Sequence, residues 1–397
     1  MKSSLVHGAL AAAGLVAAYL TWTREEEQTY ARSEVAVVDC PGASFERVRV
    51  SNDWRSIDVK AMTHQGDPIH WITTKRKLGP GGEPKGATHR VQSFLANEKF
   101  QDLLKRYTPL RALRSLGKIG KEELKEFGLD KPEKKLVLTC GGKKYELEIG
   151  AATYGAGNNY ARRPSGQTVY LLPSAVVREL EGAEWRFMQK QLHAFESKDV
   201  DEVRIVVQGK ERRLLQRNRL TPGKSLWVDA AAPDRRNELF GNWLAKVARL
   251  SGLTYVALDG QPGSDLTEEQ QADQLETAAV AEVSYFLKGK QQGKLQMVRV
   301  RLSRDTFYYA KTEATRTWVQ LPKSISREVS DDAAMVVGLE QQPASQAGAQ
   351  PPKSTSRGAA AKTAKGASRV AGAARANPAS KRSTGALGKQ AKAASQR

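Results

Sequence analysis

Residues Leu5–Trp22, LVHGALAAAGLVAAYLTW, contain no Lys, Arg, Asp or Glu, and no other feature constrains the chain as much. At about 1.5 Å per residue a helix over this run spans roughly 27 Å, close to the hydrocarbon thickness of a bilayer. Tyr19 and Trp22 stand at its far end, where amphipathic rings favour the headgroup region. A cleaved leader needs a small-x-small site, and Leu20-Thr21-Trp22-Thr23-Arg24 supplies none. A lipoprotein needs a cysteine at that point, and the first is Cys40. The run therefore reads as an uncleaved signal anchor over 5–22, after a short N-terminal stub at 1–4. Lys2 precedes it and Glu25, Glu26 and Glu27 follow, so the positive-inside rule places the N-terminus in the cytoplasm and the body outside.

Charge is unevenly spread behind this anchor. The net charge is +20, and no acid follows Glu340, so the eleven Lys and Arg between Lys353 and Arg397 contribute more than half of it. Lys353, Arg357, Lys362, Lys365, Arg369, Lys381 and Arg382 stand among Ala, Gly, Ser, Gln, Thr and Pro. A segment of that composition buries too little apolar surface to offset ordering, so 339–397 reads as a disordered basic tail. It suits an anionic envelope polymer or a membrane surface. Nucleic acid is the alternative partner were the chain to face the cytoplasm, although no aromatics interleave the basic residues. Cys40 and Cys140 each end an expected strand, and outside the cytoplasm they could pair or stand apart. Their spacing fits neither a zinc ribbon nor a thioredoxin-like redox pair.

After a linker at 23–33, the body runs twice through one pattern, in units at 34–190 and 191–338. In the first, strands over 34–39, 45–50, 57–61 and 69–73 precede a helix over 89–107, whose Val91, Phe94, Leu95, Leu103 and Leu104 recur at near-helical spacing. A helical turn at 121–127 ends on Gly128, a glycine cap followed by Leu129 and Pro132. Strands at 135–139 and 144–149 flank Gly141-Gly142, a hairpin signal. Two more strands, at 159–162 and 168–172, lead to a helix at 174–181. In the second unit, Val203, Ile205 and Val207 alternate with polar neighbours, and strands at 212–217 and 226–228 follow. Asp234 is the expected cap of a helix with Leu239, Phe240, Trp243, Leu244, Val247 and Leu250 on one face. Strands at 281–287, 295–303, 306–310 and 318–321 close it. Trp71 and Trp227 stand at similar places ahead of the two helices. The fold class is α+β: two repeated units of antiparallel strands with an amphipathic helix each, between a transmembrane helix and a disordered tail.

Between Leu113 and Val177 the chain resembles a bacterial family, the domain of unknown function DUF4340. The resemblance is carried by Phe127-Gly128-Leu129-Asp130 with Pro132, by Tyr145–Gly150 (YELEIG), and by Tyr160 and Val169-Tyr170-Leu171. Trp71 is similar to the family's tryptophan upstream of a helix, without the usual proline after it. The resemblance implies one membrane span, a β-rich extracytoplasmic body in the bacterial inner membrane, and partnership with subunits of an ABC-type, gliding-motility-like transporter. It assigns no catalytic residue, and the motif residues read as architecture.

No enzyme signature emerges. His64, Asp67, His70 and His89 match no recurrent metal spacing and are expected to be surface groups. Gly155-Ala156-Gly157 lacks the helix of a phosphate loop and reads as a hairpin loop. Trp185, Phe187, Trp243, Tyr285, Phe286, Phe307, Tyr308 and Tyr309 are expected in the core, with one of the adjacent pair Tyr308-Tyr309 exposed because neighbours on a strand point to opposite faces. Arg299, Arg301 and Arg304 would form a basic stripe on a wet face opposite Val298, Val300 and Leu302. No cofactor is expected. The chain reads as a non-enzymatic, membrane-anchored accessory protein, with a cytoplasmic nucleic-acid binder and an envelope-polymer hydrolase as the alternatives.

Overall fold

The computed structural model describes residues 34–79, 89–155, 157–221, 223–271 and 275–339, with position 14 in isolation. The rest of the expected span at 5–22 and the basic residues of the tail lie outside the described residues. No helix among the described residues is long and apolar enough to cross a membrane.

Strand β1 (Val35–Val38) precedes a meander of β2 (Phe45–Ser51), β3 (Arg55–His64), β4 (Asp67–Lys77) and β5 (His89–Leu95). Helix α1 (Phe100–Leu104), β6 (Leu110–Ala112), β7 (Arg114–Lys118) and α2 (Lys121–Glu126) connect it to a second meander. That one comprises β8 (Lys134–Cys140), β9 (Lys143–Ala152), β10 (Asn158–Arg162) and β11 (Thr168–Pro173), and α3 (Ala175–Glu181) and α4 (Ala183–Arg186) follow it. Strand β8 returns beside β2, giving the order β5-β4-β3-β2-β8-β9-β10-β11-β7, while β1 pairs with β6 apart.

The chain then repeats this path. It runs β12 (Glu202–Val207), β13 (Lys210–Arg217), β14 (Leu226–Asp229), α5 (Glu238–Ala248), β15 (Thr254–Tyr255) and α6 (Glu268–Gln271). Strands β16 (Glu276–Leu287), β17 (Lys290–Arg301), β18 (Thr306–Thr312) and β19 (Val319–Gln320) come next, and α7 (Lys323–Val336) ends it. The order β14-β13-β12-β16-β17-β18-β19-β15 matches the first sheet strand for strand once β5 is set aside. Pairings within both sheets are antiparallel, so this is an antiparallel α+β body.

Backbone hydrogen bonds stitch the sheets together. Gln189 N donates to Leu95 O at 2.9 Å, Asn97 N to Phe187 O at 2.7 Å, and Gly252 N to Lys190 O at 2.9 Å. Residues 187–191 therefore run as a strip between β5 and the approach to β15. Across this seam the Trp71 ring meets Tyr255 edge-on at 5.9 Å, and the Tyr255 hydroxyl donates to Gln189 O at 2.7 Å. Burial pushes that phenol far above its ordinary value, so it stays a donor. One continuous apolar core results, from Val37 in β1 to Val337 beyond α7.

Several expectations need correction. Residues 89–95 form β5 rather than a helix, because their backbone groups pair along β4 from Trp71↔Leu95 to Lys77↔His89. Helix begins only at Phe100, after the Asn97 side chain accepts from Lys99 N at 3.1 Å and turns the chain. Helix α5 is capped by Asn237, whose side chain accepts from Leu239 N at 2.9 Å, and not by Asp234. Trp71 and Trp227 lie inside β4 and β14, but strand β5 rather than a helix follows Trp71. Tyr308 and Tyr309 do point to opposite faces, but both are buried, because residues 256–266 cover the second face with a small core of its own. The same cover buries Val300 and Leu302, as expected of the dry face, whereas on the other face Arg301 is exposed but Arg299 is only half-buried opposite the buried Tyr308. Trp185, expected in the core, is 81% exposed.

Candidate functional site

The sequence motif builds a clamp rather than a reactive centre. Helix α2 ends where Gly128 adopts φ +63°, and Leu129 N donates to Leu124 O at 2.8 Å, the hydrogen bond of a glycine cap. The chain then lies against β9: Ala151 N donates to Phe127 O at 2.8 Å. A Cβ on Gly150 would meet that carbonyl oxygen at 2.2 Å and Leu129 at 2.9 Å, so only glycine allows the approach. Phe127 stacks on Tyr160 with centroids 4.1 Å apart and planes 12° from parallel. Leu129 is fully buried while Asp130 is exposed. Tyr170 pairs with Ala161 on the neighbouring strand, and Pro132 is half-buried in the turn into β8. Phe127, Gly128, Leu129, Gly150 and Tyr160 thus meet at one point, and they hold a helix onto a sheet.

A second place has room for a ligand. Helix α5, strand β14 and the strip at 190–197 enclose a cleft of about 1120 Å³. Phe240, Trp243, Leu244 and Val247 of α5 are buried at helical spacing. Asn242, Ala245 and Arg249 form the opposite stripe and line the cleft. Trp243 Nε1 donates to Val329 O at 2.9 Å, and Lys246 meets Asp332 at 2.8 Å, so α7 fixes α5 from behind. Trp227 of β14, Phe195 and Tyr285 of β16 also line the cleft.

His193 stands among these rings, 4.8 Å from Phe195 and 4.6 Å from Tyr285. Its Nδ1 lies 2.8 Å from Glu313 Oε1, and Glu313 Oε2 accepts from Lys294 N at 3.1 Å. An ionised carboxylate only accepts, so Nδ1 carries a proton and the Glu313 contact fixes the orientation of the ring. That Nε2 is buried and has no partner among the described residues. Gly293 makes the arrangement possible: a Cβ there would meet the Glu313 carboxylate at 2.5 Å and the Phe195 ring at 2.6 Å. Burial, and then the Glu313 charge, push the Tyr285 phenol well above its ordinary value and keep it protonated. The cleft therefore offers an oriented imidazole, aromatic walls and cations at Lys190, Arg236 and Arg249.

The other candidates scatter. Trp227 lines the cleft, whereas Trp71 belongs to the seam between the sheets. Arg299 is half-buried opposite Tyr308, and Arg301 lies 3.8 Å from Glu276. No group of three or more metal-binding side chains assembles among the described residues. His70 is packed between Phe45 and Phe100 rather than at the surface, and burial lowers its pKa. Sequence reasoning missed the site built by His193, Gly293 and Glu313, since a hundred residues or more separate His193 from the others.

Residues 95–274 match the family model described as domain of unknown function (DUF4340). The match extends beyond the motif clamp through the strip at 190–197, β14 and α5, so three walls of the cleft lie inside it. Trp71, Tyr285, Gly293 and Glu313 lie outside it. No curated protein and no solved structure matches the chain.

Proposed function

We propose that this chain is a non-enzymatic accessory protein, tethered to the bacterial inner membrane by residues 5–22, with its body on the extracytoplasmic side. The observation that carries this reading is the disulfide between Cys40 and Cys140, whose Cα atoms are 5.8 Å apart. Disulfides persist in oxidising compartments and are rare in the cytoplasm. The correspondence of strand order supports two copies of one α+β unit, one stapled and one carrying the cleft. The cleft's volume exceeds the roughly 300–1,000 Å³ of small-molecule pockets, and its mixture of amides, aromatics and cations suits an extended peptide segment of a partner subunit. Likeness to the DUF4340 family favours an ABC-type, gliding-motility-like transporter as the source of that partner. The basic tail adds weak, salt-sensitive attraction to anionic envelope polymer.

Thiol alkylation in cells, combined with protease access in spheroplasts, tests the location. The expected result is that Cys40 and Cys140 react only after reduction, while external protease degrades a membrane-bound body. Free thiols in a protected body would instead favour the cytoplasmic, nucleic-acid-binding alternative. Capture of transporter subunits by the full chain, and its loss when the cleft is blocked, tests the partner.

A further inference from the structure

Three arginines stand directly opposite one another on neighbouring strands. Arg55 of β3 faces Arg76 of β4, which faces Arg90 of β5. Opposed residues of antiparallel strands share one face, with Cβ atoms about 4.5–5.5 Å apart, and like charges there repel. Guanidinium groups stay charged, so the row cannot relieve itself by losing protons. Glu184 of α4 meets Arg55 at 3.2 Å, yet Arg55 Nε is buried without a partner. Arg76 and Arg90 are exposed and have no acidic partner among the described residues.

Large exposed aromatics border this row. Trp54 is 63% exposed and Trp185 is 81% exposed. They are the sequence neighbours of the two members of the ion pair, Trp54 beside Arg55 and Trp185 beside Glu184. Lys77 Nζ lies 5.3 Å from the Trp54 ring centroid, and Lys190 Nζ lies 5.6 Å from that of Trp185. A solvated charged face does not need tryptophan, and an apolar contact surface does not need unpaired arginines. Both together suit the boundary between phosphate headgroups and acyl chains, where indole rings settle and basic residues meet anionic lipid.

We propose that this end of the first sheet docks on the surface of an anionic bilayer, with Arg76 and Arg90 at lipid phosphates and Trp54 and Trp185 in the headgroup layer. The tether permits it: the twelve residue steps from Trp22 to Glu34 reach at most roughly 40 Å. The proposal takes only membrane proximity from the reading above and does not depend on which leaflet the body faces. Docking there would hold the seam, and the cleft beside Lys190, at a set distance from the membrane.

The test reconstitutes the full chain into phosphatidylcholine vesicles with bromine-labelled acyl chains, with or without phosphatidylglycerol, and reads quenching of tryptophan fluorescence. Trp22 supplies a constant background. The expected result is additional quenching that requires phosphatidylglycerol, weakens with salt, and disappears when Trp54→Phe and Trp185→Phe are combined. Arg76→Glu with Arg90→Glu should lower the docked-to-undocked ratio by more than about thirty-fold, since losing each basic contact alone costs about fivefold and reversal adds repulsion. Arg76→Ala with Arg90→Ala, gentler on folding, should shift it in the same direction by less. Equal quenching in both vesicle types, or quenching indifferent to Arg76 and Arg90, overturns the proposal. So does quenching that stays unchanged while soluble polyphosphate binds in an arginine-dependent way, since the row would then serve a soluble anion.

Discussion

The two sheets share an order of strands but differ in what they do with the space beside them. In the first, Phe100 and Leu103 of α1 are buried and Tyr107 is wholly enclosed, its hydroxyl donating to Val176 O. Cys40 and Cys140 fasten the far side. In the second, the longer α5 stands away from the strip at 190–197, and a cleft opens beside Trp227 and His193. The shared strand order thus carries a closed core beside the first sheet and an open cleft beside the second. Substitutions in the buried core of the first sheet should therefore act on stability, and those lining the cleft on the proposed partner contact.

The largest expected effect comes from Cys40→Ser with Cys140→Ser. The cysteines are 100 residues apart, and closing a loop of that length stabilises a fold by about 4.7 kcal/mol in the chain-entropy treatment. Denaturant unfolding with and without reductant measures it, and a loss below about 1 kcal/mol would mean the first sheet does not depend on its staple. Gly150→Ala comes next, at about 3 kcal/mol, the upper part of the overpacking range. Its new Cβ would strike the Phe127 carbonyl, backbone that cannot swing aside. Gly293→Ala meets flexible side-chain ends instead, Glu313 and Phe195, and should cost about half as much while displacing His193. Equal losses at the two glycines would erase the distinction between clamp and cleft.

Much of this was legible in advance, and the failures have physical causes. The cap at Gly128 and the Gly141-Gly142 hairpin depend on local backbone preference, and both formed as expected, with φ of +55° and +73° in the hairpin. Strand β5 was misread because Val91, Phe94 and Leu95 fit a helical stripe. In fact Phe94 faces the core, Leu95 meets the seam and Val91 is 59% exposed, a pattern set by pairing with β4 and the strip rather than by period. Helix α7 was overlooked although Ile325, Val329, Ala333 and Val336 keep helical spacing. The site was illegible because its signal is tertiary: only the folded second sheet brings Gly293 and Glu313 under His193.

Both sheets also carry a carboxylate held by two arginines, and here the expected effects are alike. Asp58 binds Arg47 at 2.5 Å and Arg49 at 3.3 Å. Glu202 binds Arg213 at 2.5 Å and Arg204 at 2.8 Å. For each, burial alone would raise the pKa, and the arginines more than reverse it, leaving both below the ordinary carboxylate range. A depressed folded-state pKa stabilises above the unfolded value and loses that contribution as pH falls through the folded one. Asp58→Asn should therefore cost about 2 kcal/mol at neutral pH, as for a hydrogen bond to a charged group. The deficit should shrink below about pH 4, where the unfolded carboxylate takes up its proton. A deficit constant across that range would mean packing, not charge, holds β3 to β2.

The smallest effect on stability tests the comparison most directly. Ala245 lies on the exposed stripe of α5 and lines the cleft. Ala245→Trp fills the space while leaving the buried face untouched, so stability should fall only by the difference in helix propensity, at most about 0.7 kcal/mol. If the cleft receives a partner segment, the same change should abolish capture of transporter subunits by the full chain. A variant that unfolds early would show that the second sheet tolerates no filling and that its cleft belongs to the core. A stable variant that still captures the subunits would move the contact elsewhere, because a cleft blocked by an indole cannot hold a peptide.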